Sequence, residues 1–266
     1  QTPMSDLFSL TGKIAAVSGC TRGIGRSMAL GLADAGAGID CGDYRKLIDI
    51  CLLQRNIEDY KVRDEIRALG RKAEIVYLDV SKQESVRDVV DRILAIFPRL
   101  DILVNNAGIQ RRFDAVDFPE NEWDDVIQAN LKSVFSISQA AAKHMITQGS
   151  GKIINTASLM SFQGGIRVPA YAAAKGGVAL VTKALANEWA KHSINVNAIA
   201  PGYVNTELTQ ALVHDPVRSK EILGRIPAGR WASPDDFRGP VVYLASRASD
   251  YVHGEIMAVD GGWLAR

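Results

Sequence analysis

Tyr171 and Lys175 stand four residues apart in a stretch of helical periodicity, so a phenol and an ammonium share one helix face. Ser158 lies thirteen residues earlier, just past the apolar run Lys152–Asn155, which reads as a strand. Asn130 falls inside a long helical pattern, where its amide competes poorly with the backbone and wants another use. On an arbitrary helix, a pair like Tyr171 and Lys175 is most often a solvated surface contact. A phenol, an ammonium, a hydroxyl and an amide gathered at the edge of a ligand-binding sheet form something else: a proton-transfer constellation.

Two further motifs supply such an edge. Ser18-Gly19-Cys20-Thr21-Arg22-Gly23-Ile24-Gly25 sits where a first strand turns into a first helix. Glycines there let the backbone approach a pyrophosphate, and the helix N-terminus offers free N–H groups and a positive dipole end. A glycine triplet alone could be only a tight turn; after the first strand of an alternating α/β chain it carries more weight. Asn105-Asn106-Ala107-Gly108 follows another strand, at the carboxyl edge where open α/β sheets bind ligands. The plain alternative is a turn, since Asn and Gly suit left-handed backbone.

Taken together, the loop at 18–25, the NNAG at 105–108, Asn130, Ser158, the YxxxK of Tyr171 and Lys175, and Pro201-Gly202 resemble the short-chain dehydrogenase/reductase family from about Leu7 onward. The resemblance implies a Rossmann-type doubly wound sheet of about seven parallel strands with helices on both faces. It implies a catalytic tetrad of Asn130, Ser158, Tyr171 and Lys175, and a homotetramer. It also places the cofactor against Gly19, Thr21, Arg22, Ile24, Asp79, Asn106, Ala107, Gly108, Tyr171, Lys175, Pro201, Gly202, Val204 and Thr206. Within the family, the segments at 109–119, 161–171, 225–231 and 258–266 are most similar to the group of 2-deoxy-D-gluconate 3-dehydrogenases and keto-deoxygluconate oxidoreductases.

The implied chemistry is hydride transfer between a nicotinamide and a carbon bearing oxygen, with Tyr171 donating or accepting the proton. A free phenol titrates near 10, so acid/base use near neutrality needs a shift of roughly 3 units, about 4 kcal/mol. The Lys175 ammonium and the cationic oxidised nicotinamide are expected to supply it by favouring phenolate. Ser158 would orient the substrate oxygen, and Asn130 would hold a water joining the lysine to solvent. Arg111, Arg112, Arg167 and Gln163 fall in segments expected to rim the cleft, where a guanidinium can grip a sugar-acid carboxylate. Residues 203–227, after Pro201-Gly202, are expected to form a lid over the substrate. Two other readings compete: a reductase of a 3-oxoacyl thioester or small cyclic ketone, which would want an apolar cleft, and a non-catalytic cofactor-sensing protein, which would not need Tyr171 with Lys175.

The elements that must position these groups alternate along the whole chain. Strands are expected at Lys13–Ser18, Ala73–Leu78, Asp101–Val104, Lys152–Asn155, Ile194–Ile199 and Ile256–Val259. Helices are expected at Gly25–Ala35, Glu58–Leu69, Lys82–Phe97, Glu120–Gln148, Pro169–Lys191 and Pro234–Ala245. This rhythm implies parallel strands joined by helical crossovers in a single domain over 1–266. It breaks once. Residues 38–48 are polar and glycine-broken, and the apolar run Asp49–Gln54 leads straight into a helix. The second strand is therefore placed at Asp49–Gln54 and 38–48 read as an inserted surface loop, tolerable because closure cost grows only logarithmically with length. The alternative takes Ile39–Gly42 as the strand. The choice bears on the cofactor, because the residue ending the second strand meets the adenine ribose. A strand at Ile39–Gly42 would put Asp43 there and favour NAD. The preferred register puts Arg55 there, and with Arg22 it favours the 2′-phosphate of NADP(H) without excluding NAD(H).

Composition closes off other classes. The 266 residues carry 31 Lys+Arg against 30 Asp+Glu, so no global field recruits nucleic acid or an anionic membrane. No run approaches the ~18 apolar residues of a membrane span, and the first residues lack the pattern of a secretion signal. Three cysteines without metal spacing fit a reducing compartment, the cytoplasm, and the four scattered histidines argue against a metal site. A small-molecule substrate is the expected partner.

Overall fold

A computed structural model of the chain describes residues 3–36 and 49–266. Its centre is one parallel sheet of seven strands in the order β3-β2-β1-β4-β5-β6-β7. In chain order these are β1 Ile14–Ser18, β2 Asp49–Gln54, β3 Ala73–Tyr77, β4 Ile102–Asn105, β5 Gly151–Thr156, β6 Ile194–Pro201 and β7 Ile256–Val259. The helices are α1 Met4–Leu7, α2 Gly23–Ala35, α3 Lys61–Ala68, α4 Gln83–Arg87, α5 Val89–Leu94, α6 Glu120–Ile127, α7 Ser133–Gln148, α8 Pro169–Trp189, α9 Gln210–Val213, α10 Pro216–Arg225 and α11 Arg238–Ala245. Among the described residues no helix is long and apolar enough to cross a membrane.

The inner strands are apolar on both faces because both faces are covered. Ala15, Val17, Ile50, Leu52, Ile102 and Val104 pack with Met28 and Leu32 of α2 and Val241 and Leu244 of α11. The alternating residues Ile14, Ala16, Cys51, Leu53 and Leu103 face the opposite layer, with Val89 and Ile93 of α5 and Ile137 and Met145 of α7. The expected doubly wound sheet is thus the observed one.

Strand β2 lies at Asp49–Gln54 and pairs in parallel with β1, Val17 opposite Leu52. The register expected from the apolar run is the one found; the excursion expected at 38–48 lies outside the described residues. Several helices differ in detail from expectation; that expected at 234–245, for instance, begins as a 3-10 turn at Pro234–Phe237. The helix expected over 82–97 is two, α4 and α5, meeting at Asp88. The one expected at 58–69 begins only at Lys61, because Asn56 and Asp59 side chains accept from nearby backbone N–H groups and hold a turn. The run Glu120–Gln148 is helical throughout but opens into a π turn at Gln128–Lys132, between α6 and α7.

The topology itself selects the working edge. β1 is flanked by β2 on one side and β4 on the other, so chain direction across the sheet reverses between β1 and β4. At such a switch point the loops leaving the two strands diverge and open a crevice at their carboxyl ends. The glycine loop leaves β1 there, and Asn106-Ala107-Gly108 leaves β4.

Candidate active site

Ser18, the last residue of β1, joins the two loops. Its hydroxyl accepts the backbone N–H groups of Asn106 and Ala107, each at 3.0 Å. Asn106 answers by donating Nδ2 to the carbonyls of Ser18 and Gly19, at 3.2 and 3.1 Å. Close packing makes glycine obligatory here: a Cβ on Gly25 would stand 2.1 Å from the Gly19 carbonyl oxygen. The 13-residue α2 begins at this point with Arg22 as its N-cap and no side chain capping it. Its first N–H groups remain available to a phosphate, as the glycine pattern anticipates. Cys20, within the loop, is an inert thiol: burial pushes it up to about 12.

The residues proposed for proton transfer are assembled by β5 and α8. Ser158 follows β5 and caps the short turn Leu159–Ser161, accepting from Met160 N–H. Ser161 completes the box, taking the Ser158 N–H at 3.2 Å and donating its hydroxyl to the Lys175 carbonyl at 2.7 Å. That second bond pins the Ser158 turn onto the helix that carries Tyr171 and Lys175. Lys175 is buried, its Nζ 2.5 Å from the Thr156 carbonyl oxygen and 5.7 Å from the centre of the Tyr171 ring. Burial lowers its pKa to about 8. Tyr171 differs from expectation. Its phenol lies above its ordinary value, because burial outweighs the Ser158 hydroxyl that hydrogen-bonds it and pulls the other way. The ammonium does not overcome desolvation in the protein alone.

Asn130 answers the question its position raised. It lies in the π turn with no exposed surface; Nδ2 donates to the carbonyls of Val126 at 2.9 Å and Ile109 at 2.8 Å, and Oδ1 accepts Ile109 N–H at 3.1 Å. The side chain thus bonds back onto the preceding turn of its own helix and across to the segment that follows β4. Both amide hydrogens are spent, so a water there can be held only through an acceptor oxygen. Asn130 therefore clamps the segment following β4, and closely: a Cβ on Gly108 would come within 2.3 Å of its Oδ1.

Several contributors escaped the sequence reading. Thr156, which receives the Lys175 ammonium, and Ser161 are two. A third is a buried line from Ser138 through Asn105 and Asn155 to Thr182, with three hydrogen bonds of 3.0 Å. It couples α7, β4, β5 and α8 beneath the site. The only sequence sign was polar residues ending strands that are otherwise apolar.

The remaining expected residues are dispersed. Arg55 follows β2 and is 76% exposed, with Nη1 3.9 Å from Oδ2 of buried Asp79. Asp79 also accepts from the backbone and hydroxyl of Ser81. Gln54 folds inward, its amide donating to the carbonyls of Asn56 and Asp59, so Arg55 is the group that the strand end presents. Arg22 is not idle: it pairs at 2.7 Å with Glu207 of the 203–227 segment. Thr206 forms a capping box with Thr209, and Val204 is buried, with a backbone bridge to Ala232. Of the proposed substrate residues, Arg111 bonds Glu122 at 2.6 Å and Arg167 bonds Asp114 at 3.0 Å, while Arg112 is exposed. Gln163 accepts the indole N–H of Trp263 at 3.2 Å.

A switch-point crevice with an uncapped helix N-terminus, walled by a buried lysine and a tyrosine on one helix, defines a dinucleotide-dependent oxidoreductase. A family model described as enoyl-(acyl carrier protein) reductase matches residues 19–264. The chain belongs to that family and with it to the short-chain dehydrogenases/reductases. It is 56% identical over 260 residues, 97% of this chain and 98% of the relative, to 2-dehydro-3-deoxy-D-gluconate 5-dehydrogenase of Escherichia coli strain K12. The relative of that name in Bacillus subtilis strain 168 is 48% identical over 99% of both chains. Among solved structures, a gluconate 5-dehydrogenase from Burkholderia cenocepacia J2315 in complex with NADP and tartrate is similar with TM-score 0.91, at 40% identity, covering 99% of this chain and 100% of that one.

Proposed function

We propose that the chain is a cytoplasmic, homotetrameric, NADP(H)-dependent oxidoreductase that interconverts a keto group and a secondary alcohol on a sugar acid of the 2-deoxy-gluconate or keto-deoxygluconate type. The observation that carries the reading is near full-length identity of 56% to a relative named for oxidising a deoxy keto sugar acid. The NADP complex of the Burkholderia relative supports the cofactor.

The dinucleotide fits the residues present. Its pyrophosphate would lie at the free N-terminus of α2, against Gly19, Thr21 and Ile24, with Asp79, Asn106, Ala107 and Gly108 along the adenosine side. Pro201, Gly202, Val204 and Thr206 would meet the nicotinamide end. Arg55 and Arg22 would hold the 2′-phosphate. Arg22 must then leave Glu207, but an exposed ion pair is worth only about 0–1 kcal/mol, against roughly 1.5–3 for a charge-assisted hydrogen bond. When bound, the nicotinamide supplies or accepts the hydride.

The chain's own work is proton handling and orientation. Tyr171 gives its proton to the ketone oxygen in reduction and takes it back in oxidation. Ser158 hydrogen-bonds the same oxygen and fixes its direction. Lys175, protonated below about 8, lowers the cost of the phenolate. Asn130 holds the segment behind the nicotinamide in place. The 203–227 segment, with α9 and α10, serves as the lid.

The test is a turnover screen of keto sugar acids with NADPH and NADH. Reduction of a 2-dehydro-3-deoxy or 5-keto gluconate, faster with NADPH, is the expected result. Turnover confined to 3-oxoacyl thioesters, or none with any ketone, would overturn the reading.

A further inference from the structure

The two arginines best placed by sequence to grip a carboxylate, Arg111 and Arg167, are already neutralised by Glu122 and Asp114. A different cation is held in place without being neutralised. Arg225 ends α10, and its guanidinium carbon lies 3.9 Å from the centre of the Trp263 ring. Among the described residues no carboxylate lies within ion-pair distance of it. Stacking on an aromatic face orients a guanidinium while leaving its N–H edge free for an anion.

Trp263 orients a second donor at its edge. The indole N–H can only donate, so the end of the Gln163 amide that faces it, 3.2 Å away, is the carbonyl oxygen. The Gln163 NH2 is thereby turned away from the indole, and among the described residues no acceptor meets it. Trp263 itself is rigid: it is 3% exposed and packed against Tyr203 at 4.8 Å between ring centres. Its apolar cluster includes Leu159, next to Ser158, and Ile222 of α10. One buried indole thus mounts a charged planar donor and an amide donor beside the Ser158 turn, both without acceptors among the described residues.

We infer that Arg225 and Gln163, mounted on Trp263, form the subsite for the substrate's carboxylate. The inference rests on the sugar-acid reading and deepens it. Because Arg225 ends the lid helix and Gln163 belongs to the Ser158 segment, a bound carboxylate would tie lid to floor. Selectivity for acids then depends on three residues far apart in sequence.

The experiment compares a reducible keto sugar acid with its methyl ester, using Arg225→Gln, Arg225→Lys, Gln163→Ala and Trp263→Phe. Arg225→Gln should raise the acid's KM at least tenfold and cut the acid-over-ester ratio of kcat/KM by a similar factor, with the KM for NADPH moved less than twofold. Arg225→Lys, which keeps charge but not the planar stack, should lose less. Trp263→Phe keeps a ring beneath Arg225 and removes the N–H; it should raise the acid's KM severalfold, and much less when Gln163 is already Ala. A parent active on sugar acids, with Arg225→Gln leaving the acid-over-ester ratio within twofold, refutes the subsite alone. A parent that reduces no sugar acid refutes the proposed function, and the subsite falls with it.

Discussion

Replacing Lys175 by Met should change how the protein's stability depends on pH, in a direction set by the lysine's burial. Lys175 is 4% exposed, has one backbone acceptor, and no carboxylate within ion-pair distance among the described residues. Its pKa falls from 10.5 to about 8 on folding. That drop of ~2.5 units at about 1.4 kcal/mol each is a cost of roughly 3 kcal/mol to keep the folded ammonium charged. The sign follows from proton binding. Below pH 8 both folded and unfolded chains carry the proton, and the full cost is present. Between 8 and 10.5 the unfolded chain binds it and the folded chain does not, so stability rises with pH and the cost disappears. Met binds no proton. At pH 7 the variant is relieved of about 3 kcal/mol but orphans the Thr156 carbonyl, at about 1–3, so its net stability stays close to the parent's. The pH dependence is the cleaner signal: from pH 7.5 to 9 the parent should gain about 1 kcal/mol relative to Lys175→Met. Cys20, raised to about 12, and the still higher Cys51 act in both proteins and cancel. Urea titrations of cofactor-free protein at one fixed concentration, with activity followed alongside, provide the measurement. Parallel stability curves, or a parent losing ground as pH rises, would refute a buried ammonium strained by desolvation.

Tyr171→Phe removes the proton donor but keeps the ring, so turnover should fall at least ~100-fold, as for loss of a general acid, while NADPH affinity is nearly unchanged; retention of more than a few per cent of activity would remove Tyr171 from the role. Arg55→Asp places an acid where the strand end meets the ribose, and the NADPH-over-NADH ratio of kcat/KM should drop tenfold or more; a parent preferring NADH would contradict the phosphate site. Asn130→Ala strands both polar groups of Ile109 and removes a bond to the Val126 carbonyl, and should cost roughly 2–4 kcal/mol in urea denaturation; a loss under 0.5 would show that these bonds are readily replaced.

Much of the scaffold was legible because its strands are buried on both faces and therefore read as unbroken apolar runs. DICLLQ at 49–54 is such a run, and its placement beside β1 follows from composition alone. The π turn was not legible. The apolar periodicity of Glu120–Gln148 continues through it, and the Asn130 side chain within it bonds Ile109, a residue in a different segment. Sequence periodicity reports which face of a helix is buried; it carries no mark of a side-chain bond to a distant segment. The helices of the 203–227 segment were missed for a related reason. The four residues of α9 are too few for a period, and α10 presents one fully buried residue, Ile222.

The site divides along the same line. Tyr171, Lys175 and Ser158 could be placed because their spacing within one helix, and at one strand end, is local information. What each charge does was not local. Arg111 and Arg167 were expected to grip a carboxylate until Glu122 and Asp114 stood beside them, and Arg225 carried no sequence signal of its stacking on Trp263. The phenol is the sharpest instance. From residue types alone an ammonium four residues away should pull Tyr171 downward, yet burial of both groups raises the phenol and lowers the lysine. Both shifts oppose the phenolate–ammonium pair, although the lysine, at about 8, still keeps its proton at neutral pH. A cation near the phenol, such as the oxidised nicotinamide of the proposed function, would pull the phenol downward. The tyrosine of the protein alone is therefore held protonated, and under the proposed function its use as a base would depend on such a cation.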